Sequence, residues 1–384
     1  MKKKILVFTG SRADFGILKP LILRIKREKL LKLFLFAGPH HFQKKSGFTA
    51  KEIKKNKLKV DYSQKYLFKN LNEKEILKYC GVSLIAFSKI FNKNKPDLII
   101  LLGDRYEVFI FCIVAFFFNI PVAHIHGGEV TSGAMDDALR HSITKMSNIH
   151  FVCHKDYKKR VIQLGEHPKT VFNFGSLALE TLKSKKMLEK KVLFKKYKIP
   201  TDKKTILVTF HPETKSKIFI KKQIKILLSS IKRINESFII FTNNNFDTFG
   251  NYFIQEISNF CKKNVNSKII KSLGIDEYHN FVFNVDLVLG NSSSGVIEVP
   301  MLKTPTLNIG ERQKGRVFSK SVYQVDLNSR MIIKKINFIF SKKEKNTFEN
   351  KFYKKDTSLN MIREIKKFIF KKKKNTKIFY DLKR

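Results

Sequence analysis

Residues 124–141, HIHGGEVTSGAMDDALRH, collect acids, histidines and an arginine in one short stretch of the chain. The stretch begins at the end of the apolar run PVAHI, and ionisable side chains are normally kept away from apolar cores. Such a concentration at the end of a predicted strand indicates acid–base or electrostatic chemistry. The candidate residues within it are His126, Glu129, Asp136 and Arg140.

Two less reactive interpretations of this stretch stay open. His124 and His126 lie on one face of the predicted strand, at a spacing typical of metal ligands. The sequence has no HExxH motif and no evident third and fourth ligand, so we predict no metal. Asp136 and Arg140 stand four residues apart on a predicted helix, where an ion pair would explain both without catalysis.

Four further polar clusters follow apolar runs: GSRADFG (10–16), GDR (103–105), HPET (211–214) and GNSSSG (290–295). Arg12 can pair bidentately with a phosphate, and Asp14 is a candidate helix cap. Asp104 would place a carboxylate at the end of a buried strand. The alternative is a local salt bridge with Arg105.

The second half of the chain contains candidates for nucleotide binding. Ser292 and Ser293 lie at a predicted strand-to-helix turn, where unpaired N–H groups favour a phosphate, although an ordinary serine cap is the alternative. Glu298, about one helical turn later, is placed to accept hydrogen bonds from ribose hydroxyls. His211 can bind a diphosphate or stabilise a leaving phosphate; its alternative is a turn histidine before Pro212.

The glycine-containing clusters do not match the common cofactor fingerprints. GSRADFG is not the dinucleotide pattern GxGxxG, and the chain contains no GxxxxGK[ST] sequence. We therefore expect neither a bound nicotinamide nor ATP hydrolysis, and we predict no cofactor.

The chain is strongly basic, with 77 Lys or Arg among 384 residues and a formal net charge of +45. A dense cationic surface binds nucleic-acid phosphates by counterion release. The lysines, however, occupy almost every position predicted to be exposed, and no RNA-binding signature accompanies them. We expect no specific nucleic-acid partner and only weak attraction for anionic ligands.

Length and composition also bear on size and location. At roughly 150–200 residues per domain, the chain predicts two domains. No apolar run reaches the ~18 residues that span a bilayer, and the run after MKKK ends at Thr9 and Gly10 rather than continuing as a secretory signal. The four cysteines form no CxxC pair. We expect a cytoplasmic protein with no disulfide framework and no membrane partner.

Short apolar runs that end in glycine or polar residues alternate with longer segments of helical spacing. Near-continuously apolar strands that alternate with helices predict parallel sheets covered on both faces. The pattern restarts in the second half, so the predicted fold class is α/β, with two Rossmann-like doubly wound domains. The predicted bounds are 1–178 for the first domain, 179–354 for the second, and 355–384 for a basic helical tail.

The polar clusters all fall at the carboxyl ends of predicted strands. In doubly wound sheets, ligands bind in the crevice outside those ends. Because the clusters are divided between the two domains, we expect a cleft between facing domains.

Seven motifs together resemble the hydrolysing UDP-N-acetylglucosamine 2-epimerases of sialic acid biosynthesis. In chain order they are GSRADFG, LLGDR, HIHGGEVTSGAMDDALRHSITKMS, GSLALE, TFHPET, GNSSSGVIE and NIGERQKGR. The resemblance implies two Rossmann-like domains in the glycosyltransferase-B arrangement, a C-terminal helix that crosses back to the first domain, and homodimers or homotetramers. It implies neither a metal nor a nicotinamide.

The implied reaction converts UDP-N-acetylglucosamine and water to N-acetylmannosamine and UDP. UDP leaves as the sugar loses its C2 proton, which gives a 2-acetamidoglucal, and water then adds from the face that inverts C2. This chemistry needs a base at C2, a partner for the departing diphosphate and a group that manages water. The crowding of residues 124–141 then has a chemical purpose.

Carried over position by position, the resemblance makes Asp104 and Asp136 catalytic acids and places His211 near the diphosphate. The residues expected at the nucleotide and its phosphates are Arg12, Arg105, Arg140, Ser292, Ser293, Glu298, Arg312 and Arg316.

The chain departs from the family pattern at two positions. Related epimerases have a glutamate where this chain has His126. Either His126 is itself the acid/base, or Glu129 takes the place of that glutamate, and we expect Glu129 to take part. The lysine that the non-hydrolysing branch has after its first-loop arginine is replaced by Ile17.

Other functions are compatible with the same motifs. UDP-N-acetylglucosamine is the first-choice substrate, but a GDP- or UDP-linked 2,4-diacetamido-trideoxy sugar of legionaminic acid synthesis would use the same residues. A glycosyltransferase with the same nucleotide pocket is the alternative from another class. It would need an acceptor, whereas an epimerase needs only the sugar nucleotide and water.

Overall fold

The computed structural model describes most of the chain, in the ranges 2–43, 49–66, 72–131, 135–183, 185–213, 216, 218–234, 236–242, 249–270, 273–342, 350–371 and 377–382. Parts of three predicted features lie outside these residues, namely 132–134 of the long central motif, Thr214 of HPET and 372–376 of the lysine run. The chain divides into two compact units. The first contains Met1–Glu129, Met135–Thr181 and Phe352–Arg384, and the second contains Val130–Ala134 and Leu182–Lys351.

The first unit is a parallel sheet with helices. Its strands are β1 (Lys3–Thr9), β2 (Leu31–Ala37), β3 (Tyr62–Ser63), β4 (Leu98–Leu102), β5 (Val122–Ile125), β6 (Ile149–Val152) and β7 (Val171–Asn173). Its helices in this part of the chain are α1 (Arg12–Arg27), α2 (Ala50–Lys55), α3 (Glu73–Lys93), α4 (Tyr106–Phe117), α5 (Asp136–Met146), α6 (Lys155–Gln163) and α7 (Leu177–Leu182), with 3₁₀ turns at Pro39–Phe42 and Pro168–Thr170.

The strand order in the first unit is β3-β2-β1-β4-β5-β6-β7, and each neighbouring pair is parallel. Alternate residues of β1 enter different cores: Ile5 and Val7 belong to one apolar cluster, and Leu6 and Phe8 belong to another. A strand buried on both faces must be apolar at nearly every position, as the sequence predicts. The order reverses between β1 and β4, which is where doubly wound sheets bind ligands.

The second unit repeats this architecture. Its strands are β8 (Lys204–Thr209), β9 (Ser237–Thr242), β10 (Ser267–Ile270), β11 (Leu287–Gly290), β12 (Thr306–Ile309) and β13 (Val322–Val325). Its helices are α8 (Lys190–Tyr197), α9 (Ile220–Lys232), α10 (Gly250–Lys263), α11 (Ile275–Asn284), α12 (Ser293–Ile297) and α13 (Ser329–Ser341), with a 3₁₀ turn at Val299–Leu302. The order is β10-β9-β8-β11-β12-β13, all parallel, with the reversal between β8 and β11.

The C-terminal part of the chain belongs to the first unit, where α14 (Thr357–Phe370) packs against α1. Glu180 accepts hydrogen bonds from the backbone N–H and the hydroxyl of Ser358, at 2.7 and 2.6 Å. The two units divide after Thr181 and again before Phe352, three residues from each predicted boundary. The sequence pattern did not indicate that 130–134 belong to the second unit.

Among the described residues, no helix has both the length and the apolar character that crossing a bilayer requires.

The helix cap predicted at the start of α1 is a different residue from the expected one. Ser11 is the N-cap, and its hydroxyl accepts a hydrogen bond from the N–H of Asp14 at 3.3 Å. Asp14 lies inside the first turn, so the prediction that it caps the helix is wrong. Burial raises the pKa of its carboxyl group, although the charge of Arg105 opposes this.

Candidate active site

In the first unit, two loops bring predicted site residues to the same edge of the sheet. Asp104 follows β4 and His126 follows β5, and these strands are neighbours. Both turns use left-handed backbone, with φ of 81° at Gly103 and 66° at His126. A positive φ is uncommon for a non-glycine residue, so His126 is held there by its surroundings.

Arg140 of α5 connects these two loops. Its guanidinium forms an ion pair with Asp104, donates to the carbonyl of His126 at 2.8 Å and lies 3.9 Å from a carboxylate oxygen of Glu129. The residue is 3% exposed. Burial disfavours its charge, but the carboxylates of Asp104 and Glu129 more than compensate and raise its pKa. Arg140 therefore fixes both loops relative to α5.

The structure brings together the two residues between which the sequence could not choose. Nδ1 of His126 lies 3.1 Å from Oε1 of Glu129, and its Nε2 lies 3.3 Å from the hydroxyl of Ser176. Glu129 is 2% exposed and also accepts a hydrogen bond from the thiol of Cys153 at 3.2 Å. The arrangement is a buried histidine–carboxylate pair, which orients an imidazole for proton transfer.

The neighbouring His124 has a structural role. It is fully buried, with Nε2 2.8 Å from the carbonyl of Gly103 and Nδ1 3.0 Å from the hydroxyl of Thr144. Burial lowers its pKa to about 3, so the ring is neutral. Both ring nitrogens are engaged, so His124 does not share a ligand with His126. Among the described residues, no group of three or more His, Cys, Asp or Glu side chains is arranged to hold a metal ion.

Asp136 is the first residue of α5, and its side chain is partly buried. The sequence suggested a helical ion pair between Asp136 and Arg140, but the guanidinium of Arg140 is directed at Asp104 and Glu129. The i, i+4 relation on this helix joins Asp137 to His141 at 3.8 Å instead.

Arg105 has a partner that the sequence analysis missed. Its Nε and Nη2 each lie 3.2 Å from an oxygen of Glu107, which also binds Nε2 of His40 at 2.7 Å. The expected local salt bridge between Asp104 and Arg105 is therefore wrong, because each pairs elsewhere. The available signal was Glu107 itself, the one acid in the otherwise apolar segment YEVFIFCIVAFF.

The buried carboxylate of Glu107 should make the free energy of unfolding depend on pH in the acid range. Burial opposes its ionisation, but Arg105 and His40 lower its pKa to about 2, against an ordinary value of 4.5. A carboxyl group whose pKa is lower in the folded than in the unfolded protein stabilises the fold at pH values above its unfolded pKa. This contribution to the free energy of unfolding is lost as the pH falls from about 4.5 to about 2. We expect Glu107→Gln to cost about 3 kcal/mol at neutral pH, because a buried ion pair loses one partner. The difference in free energy of unfolding between Glu107→Gln and wild type should shrink below pH ~4.5.

Urea unfolding at a series of pH values measures this difference. Glu364→Gln is the matched control, because its ion pair with Lys367 lies on the surface of α14. A constant difference between Glu107→Gln and wild type through the acid range would contradict the prediction.

The last candidate in this unit is Arg12, the first residue of α1. Its Nε lies 3.2 Å from a carboxylate oxygen of Glu52 in α2. Its position after β1, beside the reversal in strand order, is that of a ligand-contacting residue in doubly wound folds.

In the second unit, His211 and Asn291 follow the two central strands β8 and β11. The backbone N–H of His211 donates to the side-chain oxygen of Asn291 at 2.7 Å, and the Asn291 amide donates back to the His211 carbonyl at 2.9 Å. Asn291 also accepts, through its own carbonyl, a hydrogen bond from Arg312 at 3.3 Å. Asn291 thus joins three loops at the carboxyl edge of this sheet, two through its side-chain amide and the third through its backbone carbonyl.

Glu213 is a second organiser that the sequence analysis did not single out. It is 5% exposed, and its carboxylate accepts hydrogen bonds from the backbone N–H groups of Arg312 and Glu311 at 3.0 and 3.3 Å. Gly310 has φ of 81°, and a Cβ there would lie 2.5 Å from Oε1 of Glu213. Glycine is therefore favoured at 310 by the left-handed backbone, and a side chain there would displace the Glu213 carboxylate from the two N–H groups whose hydrogen bonds it accepts.

The serine cluster after β11 combines a helix cap with a held carboxylate. Ser292 is the N-cap of the short helix α12, which is the alternative that the sequence left open, and Ser293 is exposed. Oε2 of Glu298 binds Nε2 of His279 at 2.8 Å and accepts from the hydroxyl of Ser294 at 3.2 Å. The sequence analysis missed His279, because it lies on α11 with no motif around it.

Arg316 was expected to add positive charge at the nucleotide. Its Nε donates to the carbonyl of Val130 at 3.0 Å, and its Nη2 donates to the hydroxyl of Thr131 at 3.3 Å. Arg316 therefore holds the segment 130–131 against the second unit, to which that segment belongs.

Two Rossmann-like sheets with ionisable side chains at the carboxyl ends of their central strands define a two-domain α/β protein of the doubly wound class, in which ligands bind outside those strand ends. The chain belongs to the UDP-N-acetylglucosamine 2-epimerase family, whose sequence model matches residues 23–366. The predicted resemblance is thereby confirmed.

Several relatives cover most of the chain. The GDP/UDP-N,N'-diacetylbacillosamine 2-epimerase (hydrolyzing) of Campylobacter jejuni is 38% identical over 91% of this chain and 89% of its own. The polysialic acid biosynthesis protein P7 of Escherichia coli is 39% identical over 87% and 85%. The UDP-N,N'-diacetylbacillosamine 2-epimerase (hydrolyzing) of Legionella pneumophila is 32% identical over 87% and 88%.

A solved structure shows the same fold. The UDP-GlcNAc 2-epimerase from Neisseria meningitidis bound to UDP-GlcNAc matches with a TM-score of 0.81 at 18% identity, covering 95% of this chain and 100% of that one. The predicted fold class, two Rossmann-like domains of the glycosyltransferase-B type, is confirmed. The cleft between the domains stays a prediction.

Proposed function

We propose that this chain is a hydrolysing 2-epimerase of a nucleotide-linked 2,4-diacetamido-trideoxy sugar. The observation that carries the activity is the cluster of Asp104, Arg140, Glu129 and His126 at the carboxyl ends of β4 and β5. The choice of sugar is supported by two relatives whose names give N,N'-diacetylbacillosamine. This reverses the order expected from the sequence, in which UDP-N-acetylglucosamine came first.

In the proposed reaction, the nucleoside diphosphate leaves C1 while a base removes the proton at C2, which creates a C1–C2 double bond. Water then adds across this double bond: its oxygen bonds to C1 while one of its O–H bonds breaks and gives that proton to a base. A proton is delivered to C2 on the face opposite to the one from which the first proton was removed. The products are the free manno-configured sugar and the nucleoside diphosphate. One group must accept a proton at C2, and a second must donate one there.

We assign these two tasks to Asp104 and to the His126–Glu129 pair. Asp104 offers a carboxylate that Arg140 holds in place. His126 offers an imidazole whose orientation is set by Glu129 on one nitrogen and by Ser176 beside the other. The histidine that replaces the family glutamate thus acts together with Glu129 rather than instead of it.

The remaining polar residues of the first unit are assigned by their positions. Asp136, at the start of α5, is a third acid near this edge of the sheet. Arg140 is a positioning residue rather than a phosphate contact, because its guanidinium is buried and engaged by protein groups. Arg105, backed by Glu107, and Arg12 are the cations that we assign to the anionic part of the substrate.

We assign the nucleotide to the carboxyl edge of the second sheet. His211 and Arg312 would interact with the diphosphate, and Ser292 and Ser293 would lie beside it. Glu298 would accept hydrogen bonds from the ribose through Oε1, because its Oε2 is already held by His279 and Ser294.

Replacing His279 tests this assignment of Glu298. We expect His279→Phe to raise the KM for the sugar nucleotide about tenfold and to change kcat less than twofold, because a hydrogen bond to a charged group contributes about 1.5–3 kcal/mol. The variant should also lose the preference of wild type for a ribonucleoside diphosphate over its 2'-deoxy analogue. Steady-state kinetics and calorimetric titration measure both effects.

His279→Asn is the matched control, because its amide can still donate to the carboxylate and should restore part of the ribose preference. If the role of His279 is purely structural, the His279→Phe variant should bind both nucleotides more weakly by the same factor and keep the preference for the ribonucleotide. That result would remove Glu298 from the ribose site.

Proton NMR in deuterated water tests the proposed function directly. The purified protein is mixed in parallel with UDP- and GDP-linked 2,4-diacetamido-2,4,6-trideoxyglucose and with UDP-N-acetylglucosamine. We expect release of nucleoside diphosphate and a manno sugar deuterated at C2, with the highest kcat/KM for one of the diacetamido substrates.

Each other result has its own meaning. Faster turnover of UDP-N-acetylglucosamine would overturn the choice of sugar and leave the epimerase activity standing. Release of an uninverted sugar without deuterium at C2 would mean plain hydrolysis. Turnover only after an acceptor is added would favour the glycosyltransferase alternative, and either of these last two results would refute the proposed function.

A further inference from the structure

The edge of the first sheet at which its strands begin exposes large apolar side chains. Leu30, just before β2, is 52% exposed, and its carbonyl accepts a hydrogen bond from the N–H of Lys3 at the start of β1. Phe370, the last residue of α14, is 42% exposed. Lys366 of α14 lies 2.9 Å from a carboxylate oxygen of Glu28, directly after α1. The end of α14 therefore lies near the same edge.

The segment 377–382 is fixed to this edge by polar contacts. Nζ of Lys377 donates to the carbonyl of Ser147, close to the start of β6. The N–H of Tyr380 donates to the carbonyl of Gly165, in the connection before β7, at 3.0 Å. The backbone of the segment is thus held against the first unit at two points.

The held segment nevertheless leaves apolar side chains in water. Ile378 is 75% exposed, Phe379 is 59% exposed and Leu382 is 54% exposed. Clusters of exposed apolar side chains mark surfaces that bind a protein or a membrane. We call the surface formed by these three residues, Leu30 and Phe370 the amino edge.

The exposed charges beside the amino edge are basic. The helices α1, α3 and α6 end there, and exposed basic side chains lie in or after their last turns: Lys26, Arg27, Lys29, Lys93, Lys95 and Lys169. Glu28 and Asp97 are only partly exposed, and each is paired with a lysine. Asp381 is the one exposed acid among the described residues of these connections and of the held segment. The apolar side chains therefore stand in a cationic surface.

The opposite edge of the same sheet has a different character. The acids Asp104, Glu129 and Asp136 follow strands there, with the proposed chemistry. Acids at one edge and lysines at the other give the first unit a charge asymmetry, which orients it near a charged surface. An anionic surface would attract the amino edge and leave the carboxyl edge open to a soluble ligand.

Apolar side chains within a basic surface fit an anionic lipid bilayer. Lysines are attracted to the lipid phosphates, while apolar side chains enter the boundary between headgroups and acyl chains. Nucleic acid would attract the same lysines, but its bases stack on aromatic rings and offer little to the aliphatic Ile378 and Leu382. Surface binding needs no spanning helix, so the expectation of no membrane partner, which rests on spanning segments, does not bear on it.

We propose that the amino edge binds the surface of an anionic lipid membrane, with Ile378, Phe379 and Leu382 inserted at the headgroup boundary. The surrounding lysines would lie against the lipid phosphates, so the binding should weaken as salt is added. The carboxyl ends of the strands of the first sheet would then face away from the membrane.

Sedimentation of the full chain with vesicles tests the proposal. Wild type should pellet with vesicles of phosphatidylcholine and phosphatidylglycerol, and should stay in solution with phosphatidylcholine alone. Ile378→Glu should weaken the binding about tenfold, because the isoleucine no longer leaves water and the new carboxylate is repelled. Val265→Glu is the matched control: Val265 is 93% exposed in the second unit, and its variant has the same net charge but should bind like wild type.

A fluorescence measurement tests the insertion itself. The chain contains no tryptophan, so a single introduced tryptophan reports on its own surroundings. Phe379→Trp should shift its emission to shorter wavelength when the phosphatidylglycerol vesicles are added, and Val265→Trp should not. Circular dichroism shows whether each variant is folded, and the fluorescence result decides the matter if Ile378→Glu is not.

Three results would overturn the proposal. Wild type that stays in solution with the anionic vesicles is the first. The second is equal binding by Ile378→Glu and Val265→Glu, which would mean that lysines anywhere on the surface attract the lipid. The third is binding of single-stranded DNA, without binding of vesicles, that Ile378→Glu abolishes, which would make the amino edge a nucleic-acid site instead.

Discussion

The Asp104→Asn variant is expected to lose roughly 10³-fold in kcat with little change in KM, because proton transfer by a positioned side chain contributes about 10²–10⁴ in rate. The amide keeps the shape of the carboxylate and can still accept a hydrogen bond from Arg140. It cannot take a proton from C2. The rate of nucleoside diphosphate release, followed together with deuterium incorporation at C2, measures the loss.

Asp97→Asn provides the matched control beside the other end of β4. Asp97 precedes β4 at its opposite end, where its carboxylate binds Lys3 at 2.8 Å and the backbone N–H of Lys4 at 2.8 Å. We expect its replacement to lower the unfolding temperature and to leave kcat almost unchanged. If Asp104→Asn affects kcat no more than Asp97→Asn does, Asp104 is not part of the chemistry.

The second large effect is expected at the His126–Glu129 pair. His126→Asn and Glu129→Gln should each lower kcat by roughly 10²–10³-fold, because the first removes the imidazole and the second removes the negative charge beside it. Residues that act as a unit are not additive, so the double variant should be little worse than either single variant. Single-turnover rates of all three variants provide the comparison.

A second buried histidine–carboxylate pair in the same unit serves as the control. Nε2 of His150 lies 2.9 Å from a carboxylate oxygen of Glu166, near the amino ends of β6 and β7. Lys145 and Lys377 also form ion pairs with Glu166. Glu166→Gln removes the same kind of interaction away from the proposed chemistry. Equal losses of kcat in Glu129→Gln and Glu166→Gln would show that burial of a carboxylate, and not its role at His126, sets the rate.

Much of the fold could be predicted because it depends on local periodicity. Strands such as LIILL, buried on both faces, must be apolar at nearly every position, and the intervening helices show spacing near 3.6 residues. Glycine and polar clusters mark where each strand ends. The two Rossmann-like domains follow from these patterns and from the rule that βαβ units form parallel sheets. The segment 130–134 could not be assigned to the second unit, because no periodicity records which sheet a loop packs against.

The candidate site was predictable as a set of positions but not as a set of contacts. Asp104, His126, Glu129 and Arg140 were recognised from their residue types at strand ends and from the family motifs. Their partners were not, because residues at i and i+4 on a helix suggest pairs that the tertiary structure can override. Arg140 pairs with an acid 36 residues away, and Arg105 lies beside a histidine 65 residues away.

The sequence by itself determined the α/β class, the two sheets, the edge of each sheet where polar side chains collect, and the family. These features depend on the order of apolar and polar residues along the chain, which is a local property. Only the tertiary structure decided that His126 and Glu129 form one unit, that Glu107 rather than Asp104 holds Arg105, and that His279 holds Glu298. The strand order and the rotation of each helix set those contacts, and both result from the packing of the whole domain.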